Sequence, residues 1–88
     1  MIAIHCTFKG RVQGMGFRCT VKSRADSLGV LGWVRNESNG TVEMVFQGDE
    51  DKVTELLEYC KNSISRVERV IRESHPIDAS LDRFSIRY

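Results

Sequence analysis

Apolar residues recur along the chain with two different periods, and the changes of period mark out its elements. Ile2, Ile4, Cys6 and Phe8 alternate with Ala3, His5 and Thr7, the two-residue repeat of a half-buried strand. Gly10 to Gly16 is a glycine-rich loop. From Phe17 the period lengthens: Phe17, Val21, Ala25 and Leu28 share one helical face, and Gly29 is placed to cap its end. Val30 to Asn36 reads as a second strand and Thr41 to Gln47 as a third, with Val42, Met44 and Phe46 on one face. Between them, Glu37-Ser38-Asn39-Gly40 carries the Asn-Gly signal of a tight hairpin. A second helix is predicted after Gly48, with Asp49 as N-cap and Glu50 and Asp51 in its first turn. Its buried stripe is Val53, Leu56, Leu57, Cys60 and Ile64. Arg66 to Glu73 is a weaker strand, Ser74 to Asp82 with Pro76 is a loop, and Phe84, Ile86 and Tyr88 alternate in a short last strand.

The order is β-α-β-β-α-β with a short extra strand at the end. Two helices cannot cover both faces of a five-stranded sheet, so both are expected on one face of a mainly antiparallel sheet. The expected class is α+β, a ferredoxin-like βαββαβ sandwich formed by a single domain over residues 1–88.

Composition narrows the setting. Apolar residues make up 41% of the chain and charged ones 28%, the range of ordinary soluble domains. No apolar run approaches the roughly 20 residues of a membrane span, and the start lacks a signal peptide's basic region and cleavage site, so a cytoplasmic location is expected. The three cysteines, Cys6, Cys19 and Cys60, are widely spaced and are expected to be small buried hydrophobes rather than zinc ligands or disulfide partners. Net charge is +1, which argues against bulk attraction to nucleic acid. The distribution is uneven, however. Lys9, Arg11, Arg18, Lys22 and Arg24 all precede the first carboxylate, Asp26, and suggest a focused anion site.

The strongest local feature is Gln13-Gly14-Met15-Gly16-Phe17-Arg18, between a strand and a helix start. Glycines let backbone N–H groups turn inward, and the first helical turn adds unpaired donors and a positive dipole end, together an anion cradle of phosphate size. Arg18 could add a bidentate clamp on phosphate oxygens. Spacing alone equally allows a tight turn followed by a solvated arginine. The Walker and dinucleotide fingerprints do not fit. Gly32-Trp33-Val34-Arg35-Asn36 is the second feature: Trp33 is expected in the core, and Asn36, at a strand end, could equally be a turn residue and alone means little. Cys6 and Cys19 flank the loop without lying in it. His5 is expected on a sheet face, and His75 lies far along the chain from either motif. No Asp or Glu falls within either motif's core, so neither a metal site nor a cofactor is implied.

The stretches Gly10 to Arg18 and Gly32 to Val42 resemble the two signature segments of the acylphosphatases, and Phe84-Ser85-Ile86-Arg87-Tyr88 resembles that family's ending. Met15 stands where the family usually has valine. The resemblance implies an enzyme that hydrolyses the carboxyl–phosphate bond of small acyl phosphates. Arg18 would bind phosphate with backbone N–H groups of Gln13, Gly14, Met15, Gly16, Phe17 and Arg18, and Asn36 would orient the attacking water. Inorganic phosphate would be both product and inhibitor, and a monomer is the default. Two rivals are weighed. An RNA-recognition module shares the element order but needs exposed aromatics, which the outward positions Ala3, His5, Thr7, Thr41, Glu43, Val45 and Gln47 lack. A non-catalytic module, as found within a larger hydrogenase-maturation enzyme, would not need both Arg18 and Asn36.

Overall fold

The computed structural model describes residues 1–13, 16–63 and 67–88; Gly14, Met15, Ile64 and Arg66, all named above, lie outside the described residues. The elements run β1 (Ile2–Gly10), α1 (Phe17–Leu28), β2 (Leu31–Asn36), β3 (Val42–Gly48), α2 (Glu50–Ser63), β4 (Val67–Ser74) and β5 (Phe84–Arg87). The five strands lie in the order β4-β1-β3-β2-β5, antiparallel except for β5, which runs parallel to β2. Both helices pack on the same face, α1 over β2 and β5 and α2 over β1 and β3. The expected sandwich is the one observed.

Alternation decides which face is which. Ile4, Cys6 and Phe8 of β1 pair with Phe46, Met44 and Val42 of β3, and all six are buried beneath the helices. Phe17, Val21 and Ala25 of α1 and Val53, Leu56, Leu57 and Cys60 of α2 complete that core with Val34 and Phe84. Burial of such side chains contributes ~1.5–3 kcal/mol each, so the helix–sheet interface is the main source of stability. α1 stops where its last carbonyls are taken, Gly29 N–H donating to Asp26 O and Val30 N–H to Ala25 O. α2 opens on Asp49, whose carbonyl accepts from Val53 N–H at 2.9 Å, with Glu50 and Asp51 against the positive helix end.

The opposite face departs from expectation. Ala3, Val45 and Gln47 are buried there rather than outward. Val45 sits in register between His5 and Trp33, whose rings flank it. Gln47 is only 2% exposed because the 75–83 loop folds over this face. Its amide donates to Asp78 O at 3.0 Å and accepts from Asp78 N–H at 2.8 Å, which satisfies both ends of a buried polar group. Trp33, expected in the core, is half-buried on this same face, with the guanidinium groups of Arg35 and Arg87 5.0 and 4.7 Å from its ring centre. A guanidinium over an indole face is attracted by the ring's π electrons and covers it, so the ring finds shelter outside the core.

Candidate active site

α1 begins at Gly16, whose φ of +74° is a left-handed conformation that side chains resist; no heavy atom lies within 4 Å of where a Cβ would sit, so conformation rather than space selects glycine. Thr20 donates its N–H to Gly16 O at 3.0 Å and its hydroxyl to the same oxygen at 3.2 Å. Helical geometry leaves the N–H groups of Phe17, Arg18 and Cys19 without partners inside the helix. Among the described residues no side chain caps this end, and its first turn holds no acidic residue. A positive helix end without a carboxylate of its own is suited to an external anion.

Arg18 occupies that first turn and is half-buried. Its guanidinium lies 5.0 Å from the ring centre of Tyr88, just past the end of β5. Gly16, Phe17, Arg18, Cys19, Ile86 and Tyr88 line a recess of about 70 Å³. Phe17 turns the other way, buried with its ring 6.3 Å from that of Phe8, and so anchors the start of the helix. Val12, 2% exposed, anchors the preceding segment in the core. A larger open groove of about 410 Å³ runs along the outer side of α1 and shares only Cys19 with the recess. Cys19 is exposed, contrary to the expectation of three buried cysteines. Cys6 and Cys60 are buried, and burial pushes their thiols up to about 11 and about 12.

Asn36 is the last residue of β2, paired with Val42. It shares the parity of Val34, so its side chain points toward the helices, the side that carries Arg18. Its Oδ1 is buried and has no hydrogen-bond partner among the described residues. The turn that follows is closed by Glu37 N–H to Thr41 O at 2.9 Å and Gly40 N–H to Glu37 O at 3.1 Å, with Asn39 Oδ1 accepting from Thr41. The expected hairpin is present.

Gln13 joins the two motifs. Its side-chain Nε2 donates to Glu37 O at 2.7 Å and to Thr41 O at 2.9 Å. The sequence assigns Gln13 a backbone role only and does not mark Ile86 or Tyr88 as site residues. Strand parity puts Phe84, Ile86 and Tyr88 on one side, but only the parallel pairing of β5 with β2 shows that this side meets α1. Gly14 and Met15, expected in the cradle, lie outside the described residues.

The opposite face holds β2 by charge. Arg35 donates to Glu37 Oε1 at 2.7 Å and Glu43 Oε2 at 2.9 Å, and Glu43 Oε1 meets His5 Nε2 at 2.5 Å. Hydrogen bonding with Glu37 first, and then with His5 and Arg35, holds the Glu43 carboxyl down at about 2. His5 thus belongs to a structural network on the face away from Arg18, and His75 stacks beside it with ring centres 6.4 Å apart. Among the described residues no group of three His, Cys, Asp or Glu side chains is arranged to hold a metal ion.

Comparison with known proteins places the chain and its fold in a family. The sequence model of the acylphosphatase family matches residues 4–86. Over 81 residues the chain is 44% identical to an acylphosphatase of Picrophilus torridus, covering 92% of this chain and 96% of that one. Over 84 residues it is 42% identical to an acylphosphatase of Geobacter sulfurreducens, covering 93% and 92%. The crystal structure of acylphosphatase from Bacillus subtilis superposes with a TM-score of 0.91 at 34% identity, each chain covered in full. A family match spanning nearly every residue, with the same fold, settles the kinship: the chain belongs to the acylphosphatase family, whose members are hydrolases acting on acid anhydrides.

Proposed function

We propose that this protein hydrolyses the carboxyl–phosphate bond of small acyl phosphates. The start of α1 binds the phosphate, and Asn36 orients the water. The observation that carries the reading is the pairing of an uncompensated helix start bearing Arg18 with a buried Asn36 Oδ1, unpartnered among the described residues, on the same side of the sheet. Arg18 grips phosphate oxygens with two parallel N–H donors, and the N–H groups of Gln13, Gly14, Met15, Gly16 and Phe17, with that of Arg18, surround the rest. Asn36 Oδ1 accepts a hydrogen from water and aims its oxygen at phosphorus. As the new P–O bond forms, the bond to the acyl oxygen breaks and a carboxylate departs. The conjugate acid of that group has a pKa of about 4, so it leaves without a general acid. The phosphoryl group, with a second pKa near ~6, takes the water's proton, which completes inorganic phosphate. A loose transition state rewards placement and charge more than a strong base, which suits motif cores, Gln13 to Arg18 and Gly32 to Asn36, that hold neither histidine nor carboxylate.

We place the protein in the cytoplasm as a monomer, one domain acting on a diffusible substrate without metal or cofactor. Three free cysteines fit a reducing compartment, and among the described residues no helix is long and apolar enough to cross a membrane. The test is release of phosphate from acetyl phosphate by wild type and by folded Arg18→Ala, in chelator. Arg18→Ala should lose ~10³-fold or more in kcat/KM and lose competitive inhibition by phosphate, and Arg18→Lys should recover only part because the fork is gone. Near-normal turnover by Arg18→Ala, or strict dependence on added Mg²⁺, would refute the reading.

A further inference from the structure

The two segments that the proposed chemistry needs are far apart in the chain, and one side chain links them. Gln13 lies in the segment that leads into α1; Glu37 and Thr41 bound the turn that follows Asn36. Each of the two carbonyls that Gln13 reaches already accepts a bond of the turn, Glu37 O from Gly40 N–H and Thr41 O from Glu37 N–H. A carbonyl oxygen has two lone pairs, and a carboxamide nitrogen carries two hydrogens. The Gln13 amide therefore spends both N–H groups on the second acceptor sites of the turn, at 2.7 and 2.9 Å. Two bonds from one planar group fix distance and orientation together, which a single bond would not.

The surroundings stiffen both ends of this link. On one side Val12, buried next to Gln13, pins the segment to the core. On the other, Glu37 is held by Arg35, and Arg35 in turn by Glu43 on β3. Asn36 sits between Arg35 and Glu37, so the backbone that carries it is fixed from both directions. Gln13 itself is solvent-exposed, with little apolar surface to contribute to folding. Its bonds gain little stability in water, but they set the register between two rigid bodies.

We propose that Gln13 is a positioning residue for the hydrolysis: its side-chain amide holds the phosphate-binding segment in register with the strand end that presents Asn36. This rests on the function proposed above. Orientation effects are steep, a displacement of ~1 Å costing ~10²-fold in rate, so loosening this link should act on turnover far more than on folding.

The experiment is a double-mutant cycle on acetyl phosphate hydrolysis with Gln13→Met, Asn36→Ala and both together, alongside thermal melts and the phosphate inhibition constant. Methionine keeps the length and removes the donors. Gln13→Met should keep a cooperative melt within ~5 °C of wild type while kcat falls ~10-fold or more. In the Asn36→Ala background the same change should cost less than ~3-fold, because the partner being positioned is gone. Gln13→Glu, equal in size but without donors, should be at least as impaired as Gln13→Met. An unchanged kcat in Gln13→Met, equal losses in both backgrounds, or full activity in Gln13→Glu would each overturn the positioning role. Those results are distinct from failure of the function itself, which would appear as an inactive wild type or a fully active Asn36→Ala and would remove both.

Discussion

At the end of β2 the fold tolerates a buried carbonyl oxygen, Asn36 Oδ1, with no partner among the described residues. Such an oxygen costs ~1–3 kcal/mol relative to a satisfied or absent one. Alanine at this position removes it, and what is lost in exchange is the packing of a half-buried carboxamide, on the order of 1 kcal/mol. Alanine and asparagine are both poor strand formers, so β propensity hardly moves. The balance favours the variant by about 1 kcal/mol, which for a domain of this size is a rise of ~4–8 °C in Tm. Turnover should move the other way. Without the acceptor proposed to orient water, kcat should fall ~10²-fold or more, equivalent to a barrier higher by about 2.7 kcal/mol. Phosphate inhibition should persist, because the anion cradle is untouched. The assay pairs phosphate release from saturating acetyl phosphate with circular-dichroism melts of the same preparations. A Tm lowered by more than ~5 °C with kcat within ~3-fold of wild type would make Asn36 a hairpin residue and refute the reasoning.

Gly32→Ala would place its Cβ 1.8 Å from Val45 O at a φ of +140°, so the β2–β3 ladder must open. The expected cost is at least ~3 kcal/mol, seen as a Tm fall of more than ~12 °C, and a fall of only a few degrees would show that the strands yield freely. Under native conditions a thiol reagent should modify one cysteine quickly, Cys19, because burial raises the thiols of Cys6 and Cys60. Labelling should reach all three only in denaturant, and Cys19→Ser should keep full turnover; rapid labelling of two thiols in the folded state would contradict the packing. Glu43, held at about 2 against an ordinary 4.5, adds stability that is complete above the ordinary value and is lost as pH falls toward the folded one. Melts between about pH 5 and pH 2 should therefore show an acid limb that flattens in Glu43→Gln, and an unchanged limb would assign acid sensitivity elsewhere.

Most of the elements were legible because each has one dry side. The even positions of β1 and the three-and-four spacing of α2 follow from a single shared core, and for Val53, Leu56, Leu57 and Cys60 the α2 stripe appears as expected. Boundaries moved by a residue or so, as at Val30 and Thr41, where pairing rather than pattern sets the end. Trp33 departs from its expected core position for a definite reason. The core side of β2 presents Gly32, Val34 and Asn36, so the larger apolar residue lies on the face that hydrophobicity would have called wet. Its cover comes from guanidinium groups carried on two strands, one of them β5, whose position is a long-range property. Gln47 is similar: its partner, Asp78, lies in a loop whose path no local pattern encodes. The exposure of Cys19 could have been found, since it lies about half a turn from Phe17 on the helix. Within the site, Arg18 and Asn36 were named through family resemblance, whereas the reach of Gln13 to Glu37 and Thr41 and the stacking of Tyr88 on Arg18 needed the assembled sheet.

The place of β1 in the sheet has a kinetic consequence. It is an interior strand whose neighbours both come later in the chain, Cys6 pairing with Met44 on one side and Arg72 on the other. Closing those pairings brings together residues roughly 40 and roughly 65 positions apart, and each carries its loop-closure entropy before any contact rewards it. The β2–β3 hairpin and α1 need only local contacts and can form early. The two halves of the site are thus quick to make and slow to join, because the chain around Gln13 reaches the hairpin only once β1 has found β3. Recovery of enzymatic turnover during refolding should then lag behind helix formation and follow completion of the sheet, so that the reaction itself marks the last committed step of folding.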